Sequence, residues 1–134
     1  MNVPESQRWL AYARSDLDAA HALLRDPEHY PRQVCFLAQQ AAEKALKAVL
    51  VLLEVEFPFT HDLDRLRDLI PEGWRVKSAY PDLADLAIWA VEARYPGDMP
   101  QVIEADARDA LQTAEALYQT ISDNWQAFTR DQAS

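Results

Sequence analysis

The sequence predicts an all-α fold, a single-domain antiparallel up-and-down bundle of about five helices. Helix-forming residues dominate the composition, and only 2 of the 134 residues are glycine. Apolar residues recur at spacings of three and four through most of the chain, as on the buried face of a helix. Turn-forming residues divide this pattern into segments. A chain that is 49% hydrophobic at this length supports one core, so we expect one domain.

The first two helices are long and separated by a short turn. The first is predicted over residues 4–25, where Asp26-Pro27 ends it. The second begins near Pro31, a residue favoured at the first helical position, and runs to about Glu54. The first helix stacks these residues on one face: Trp9, Ala13, Leu17, Ala20 and Leu24. The second helix is apolar nearly all round, which predicts a central position in the bundle.

Three further helices complete the bundle. Thr60 is predicted to cap the third helix, and Pro71 with Gly73 to end it. A fourth helix is expected over residues 81–93, before Tyr95-Pro96-Gly97. Asp98 with Gln101 matches a capping box at the start of the last helix. The domain is predicted to span residues 1–130, followed by a disordered tail at 131–134.

Charge and cysteine content narrow the classes of function. The net charge of −9 disfavours broad binding to phosphate backbones, which depends on many Lys and Arg contacts. The single Cys35 lies within an apolar helix, so it is predicted to be a core residue in a reduced compartment. No apolar run has the length of a membrane span, and the first residues lack a secretion-signal pattern. We therefore expect a cytoplasmic protein that does not bind membranes.

Polar residues on the central helix are the first candidates for a functional site. They are Gln40, Glu43, Lys44 and Lys47, placed within an otherwise apolar helix. Glu43 precedes Lys47 by four residues, the favourable order for an ion pair, so a purely structural role is one interpretation. In the other, the two lysines join Arg94 in a small basic pocket for a phosphate group.

His61 and Tyr95 are the remaining candidates for ligand contact. His61 follows Thr60 at a helix start and either fixes the turn or contacts a ligand. Tyr95 stands between Arg94 and Pro96, where its ring either packs between helices or stacks on a base. The histidines have no metal-ligand spacing, so we expect no metal site and no cofactor.

Several of these motifs together resemble the HEPN family over roughly residues 5–125. They are Asp16-Leu17, Cys35-Phe36, the run Gln39-Gln40-Ala41-Ala42-Glu43-Lys44-Ala45-Leu46-Lys47-Ala48, Thr60-His61-Asp62-Leu63 and Arg94-Tyr95-Pro96. The resemblance implies a helical bundle that forms a homodimer. In bacteria and archaea it also implies a gene often adjacent to one for a minimal nucleotidyltransferase, in a toxin–antitoxin-like pair.

Many HEPN proteins are metal-independent ribonucleases, so the resemblance introduces ribonuclease activity as a candidate function for this chain. Their signature is an arginine followed, after four to six residues, by a histidine near the start of the last long helix. Arg94 occupies a suitable position, but Met99, Pro100 and Gln101 stand where that histidine would be. Arg14 and His21 have the spacing by chance, within the first helix.

The sequence therefore favours a non-catalytic HEPN-like binding module. Its site is predicted to contain Gln40, Glu43, Lys44, Lys47, His61, Arg94 and Tyr95. Its ligand would be a nucleotide or RNA, or a nucleotidyltransferase partner protein. Two alternatives remain open: a metal-independent ribonuclease that uses Arg94 and His61, and a purely structural dimerisation domain.

Overall fold

The computed structural model describes residues 1–90 and 101–133, which contain six α-helices and no strand. The helices are α1 (Val3–Arg25), α2 (Pro31–Leu52), α3 (Leu63–Leu69), α4 (Arg75–Ala79), α5 (Ala84–Ala87) and α6 (Glu104–Ala133). A 3-10 turn at Ile88–Ala90 follows α5. The all-α prediction is confirmed. Across the described ranges, no helix is both long and apolar enough to cross a membrane.

The three long helices form the bundle, with α2 packed against both α1 and α6. The start of α1 lies beside the end of α2, where the Asn2 backbone N–H donates to the Leu52 carbonyl at 3.0 Å. The same end of α1 meets the last turns of α6, because Trp125 Nε1 donates to Ser6 Oγ at 2.8 Å. These contacts make α1 antiparallel to both α2 and α6.

The core follows the apolar pattern of α2. Fourteen of its residues are buried, and most of them are Ala, Val or Leu. Small alanines let α1 and α6 approach the α2 backbone closely, while leucines fill the space between the helices. Cys35 is among the fully buried residues, as the sequence predicts, and burial raises the pKa of its thiol to about 12.

The connection between α2 and α6 departs from the sequence prediction. Asp62, not Thr60, is the N-cap of α3, since its side chain accepts the Arg65 backbone N–H. The short helix α4 was not anticipated, because five residues are too few to show a helical period. The predicted fourth helix is confined to α5 and the 3-10 turn within the described residues. Asp98 lies outside those residues, and α6 continues through 131–133, where a disordered tail was predicted.

Candidate functional site

A buried carboxylate is the centre of the polar cluster on α2. The Glu43 side chain is only 6% exposed, yet three side chains donate hydrogen bonds to it. Lys47 Nζ lies 2.9 Å from Oε2, His61 Nδ1 lies 2.7 Å from Oε1, and Gln39 Nε2 lies 3.1 Å from Oε1. We call these four residues, Gln39, Glu43, Lys47 and His61, the Glu43 cluster.

Helical spacing and one anchored loop bring the cluster together. Gln39, Glu43 and Lys47 are four residues apart along α2, so their side chains lie on one stripe of the helix. His61 comes from the loop that precedes α3. Its backbone carbonyl accepts a long hydrogen bond of 3.5 Å from Gln39 Nε2. The side chain and the backbone of His61 are thus both held by the α2 stripe.

The environment of Glu43 keeps it ionised. Burial by itself raises the pKa of this carboxyl, but hydrogen bonds from His61, Lys47 and Gln39 outweigh burial, and the pKa lies below the ordinary value for glutamate. Because an ionised carboxylate only accepts hydrogen bonds, His61 Nδ1 carries the hydrogen that it donates. In the neutral ring, Nε2 is then a hydrogen-bond acceptor.

Aromatic rings surround the cluster. Lys47 Nζ lies 5.8 Å from the ring centre of Trp9 and 5.8 Å from that of Phe57, so two rings flank one ammonium group. Phe59 meets His61 edge to face, with the ring centres 5.7 Å apart. We call Trp9, Phe57 and Phe59 the aromatic rim. The rim places stacking surfaces beside a charge-assisted hydrogen-bond network.

The predicted site residues divide into three groups in the structure. Glu43, Lys47 and His61 come together in the Glu43 cluster, and the ion pair expected from sequence between Glu43 and Lys47 is present. Gln40 joins them indirectly, since its Nε2 donates to Gln39 Oε1 at 2.7 Å. Lys44 instead reaches α1 and pairs with Asp16 at 2.6 Å.

The structure does not bring the two lysines of the predicted basic pocket to a shared site. Arg94 and Tyr95 lie outside the described residues. Lys44 and Lys47 each contact a carboxylate, and their Nζ atoms point to different partners on different elements. Each of these two positive charges is therefore matched by a negative charge at hydrogen-bond distance.

Sequence reasoning did not include Gln39, Trp9 and Phe57 in the site. Gln39 carried a readable signal, because it stands four residues before Glu43 on the same helix face. The sequence predicts Trp9 only on the core-facing stripe of α1, but the side chain is half-buried and lies near Lys47. Phe57 follows the predicted end of the second helix near Glu54, next to Pro58. No local pattern shows that these rings share one ammonium group.

A second polar cluster joins α1 to α6. Arg14 binds Glu115 through two parallel hydrogen bonds of 2.8 Å, and His21 Nε2 lies 3.0 Å from Glu115 Oε1. The Arg14 hydrogen bonds are the main cause that lowers the pKa of Glu115 to about 2. Arg14 and His21, predicted to have the ribonuclease spacing by chance, thus meet at one carboxylate and hold two helices together.

The residues suited to metal binding are scattered. Within residues 1–90 and 101–133, no group of three or more His, Cys, Asp and Glu side chains is placed to hold a metal ion. The Glu43 cluster itself contains a positioned imidazole and a buried ion pair.

Comparison with known proteins places this architecture in a family. The model of the HEPN domain matches residues 6–125. The chain belongs to the HEPN domain family. The matched segment of this HEPN protein runs from the first turn of α1 to the last turns of α6, and it includes the whole Glu43 cluster.

Individual relatives agree with this assignment. The HEPN chain is 29% identical to the "Putative toxin MJ1304" of Methanocaldococcus jannaschii, over 91% of this chain and 89% of that protein. The crystal structure of TT1696 from Thermus thermophilus is similar with a TM-score of 0.74 and 26% identity, over 89% of this chain and 97% of that one. ST0689, an archaeal HEPN homologue, shares the fold with a TM-score of 0.63 at 22% identity, over 88% and 95% of the two chains.

Proposed function

We propose that this HEPN protein is one component of a toxin–antitoxin-like pair and works as a non-catalytic binding module that docks a nucleotidyltransferase partner protein. The toxin name of the archaeal relative supports the toxin-like setting, since the two chains align over about nine-tenths of their lengths. The resemblance described above supplies the class of partner. We also propose that the module is a homodimer.

The pairing of the site's lysines favours a protein partner over RNA. Both lysines of the site are neutralised inside the protein, Lys44 by Asp16 and Lys47 by Glu43. Phosphate binding needs surplus positive charge, because its affinity comes from phosphate neutralisation and counterion release. The chain as a whole carries a net charge of −9, which repels a nucleic acid further. Binding to a protein surface does not require surplus positive charge.

Co-expression tests this proposal. The chain would be produced together with the product of its neighbouring gene, which this proposal expects to be a nucleotidyltransferase, and the pair purified through a tag on the partner. We expect a stable complex that survives gel filtration, and a dimer of this chain in sedimentation velocity. Separate samples of the chain should bind a labelled single-stranded RNA weakly. Tight RNA binding without complex formation would overturn the proposal.

A metal-independent ribonuclease is the second candidate, because the Glu43 carboxylate holds the imidazole of His61 by Nδ1. A carboxylate that fixes the orientation of a histidine in this way leaves Nε2 to act as a general base, for example toward a ribose 2′-hydroxyl. Arg94 would then supply positive charge to the phosphate.

The two candidates differ in an RNA cleavage assay with a metal chelator present. A binding module leaves labelled RNA intact at protein concentrations that saturate its own dimer. A ribonuclease cuts it, and both His61→Ala and Arg94→Ala abolish cleavage. Glu72→Ala, which changes an exposed residue away from the Glu43 cluster, is the matched control and should retain any activity.

A further inference from the structure

The loop between α2 and α3 displays an aromatic ring to solvent. Phe59 is 94% exposed, more than any other large apolar side chain in the described residues. A single exposed apolar residue is ordinary on a protein surface. Phe59 differs because its ring lies next to the Glu43 cluster. The ring contacts His61, which shares the Glu43 carboxylate with Lys47. Two further aromatic rings, those of Trp9 and Phe57, flank the Lys47 ammonium group.

Hydrogen bonds anchor the loop on both sides of Phe59. Before it, the Val55 backbone N–H donates to the Leu50 carbonyl at 2.9 Å. After it, Thr60 Oγ1 accepts the Asp62 backbone N–H at 3.1 Å, and His61 is bound to Glu43. A ring presented on an anchored loop loses little conformational entropy on binding. Phe59 therefore has the preorganisation of an interface anchor.

The charges around the Phe59 ring indicate what kind of partner could bind there. Residues 54–64 contain four carboxylates and no lysine or arginine. Glu54 is paired with the N-terminal ammonium and Asp64 with Arg67, which leaves Glu56 and Asp62 as exposed carboxylates with no ion pair among the described residues. The same loop of a second copy, packed against this one, would place acidic residues against acidic residues, and an RNA backbone would add negative charge. A basic protein surface complements this loop.

We infer that Phe59 is the central anchor of a docking surface formed by Phe57, Pro58 and Phe59, with Glu56 and Asp62 at its edge. The occupant is a protein whose apolar pocket receives the Phe59 ring and whose Arg and Lys side chains border that pocket. This inference rests on the proposed function and assigns the surface through which the partner docks.

Alanine substitution of the anchor is the first test. The dissociation constant for the purified nucleotidyltransferase partner would be measured by calorimetry for the wild-type chain and for Phe59→Ala. We expect binding to weaken about thirtyfold or more, as for truncation of an interface hot spot. Ile103→Ala removes an exposed apolar side chain just before α6, outside this loop, and should leave affinity unchanged. Because Phe59 is almost wholly exposed, the variant should fold normally, as a thermal melt can establish.

Charge reversal tests the acidic edge. Glu56→Lys should slow association with the partner and reduce its dependence on salt, because edge charges mainly steer encounter. Glu72→Lys makes the same change in net charge at an exposed position outside the loop. It should change association much less. Equal effects of the two variants would overturn the role of the acidic edge.

The outcomes separate this inference from the proposed function. If the wild-type chain binds the partner and Phe59→Ala binds equally well, the inference is wrong and the proposed function stands. If the wild-type chain does not bind the partner, both are wrong. Loss of single-stranded RNA binding in Phe59→Ala would make the ring a stacking platform for RNA, and loss of self-association would make it a dimer contact. Either result would overturn the basic partner protein as the occupant.

Discussion

The Nδ1 atom of His61 lies 2.7 Å from Oε1 of Glu43, so an imidazole on a surface loop is fixed by a carboxylate inside the bundle. The second oxygen of the same carboxylate receives Lys47 Nζ at 2.9 Å. One buried charge thus links the central helix to the loop that displays Phe59. A change at Glu43 should affect both the stability of the bundle and the order of that loop.

Removal of Glu43 should destabilise the protein strongly. Glu43→Ala leaves Lys47 as a buried and unpaired charge, and breaking such a pair costs about 3–5 kcal/mol. The free energy of unfolding would be measured by urea denaturation. Glu56→Ala removes an exposed carboxylate and should change stability by less than about 0.5 kcal/mol. If the double variant Glu43→Leu with Lys47→Met is no more stable than Glu43→Leu alone, the unpaired lysine is not the cause of the loss.

Ser6 should contribute to stability through a hydrogen-bond relay among three helices. Its hydroxyl donates to the Ala48 carbonyl and accepts from Trp125 Nε1, and the residue is fully buried. Ser6→Ala leaves the indole N–H without this acceptor, which should cost about 1–3 kcal/mol in urea denaturation. Ser78→Ala, at an exposed position, is the control. Equal small effects of the two substitutions would show that water replaces the lost acceptor.

Glu115 should give the protein part of its sensitivity to acid. The pKa of Glu115 falls from 4.5 to about 2 on folding, so the folded state favours the ionised carboxylate. Its contribution to stability is complete above pH 4.5 and is lost as the pH falls toward 2. Between these values, wild-type protein should lose more unfolding free energy than Glu115→Gln does. Parallel curves for the two proteins would contradict the assignment, and Glu56→Gln should follow the wild type.

Cys35 should resist thiol reagents in the native protein. Burial raises the pKa of this thiol to about 12, so the reactive thiolate is scarce even where a reagent gains access. Labelling with a chromogenic disulfide would be followed in native buffer and in urea. We expect slow labelling of the folded protein and fast labelling of the unfolded chain. Equally fast labelling in both conditions would show that α2 opens readily at this turn.

The sequence by itself determined the helical bundle, because helix formation depends on local spacing that a sequence displays directly. The four-residue step from Glu43 to Lys47 predicted an ion pair, and the structure contains it. The second helix is apolar nearly all round, which predicted a central position, and α2 packs against both α1 and α6. Short elements were less predictable, since α4 and α5 have only five and four residues.

The tertiary structure alone decided which polar side chains from separate elements become partners. His61 is 18 residues from Glu43, Lys44 is 28 residues from Asp16, and Arg14 is 101 residues from Glu115. Each contact depends on how separate elements dock, which buried apolar area determines and no local period encodes. The sequence therefore identified polar residues that needed partners and one local pair, Glu43 with Lys47. Only the packing of separate elements brought His61 to the same carboxylate and Lys44 to Asp16.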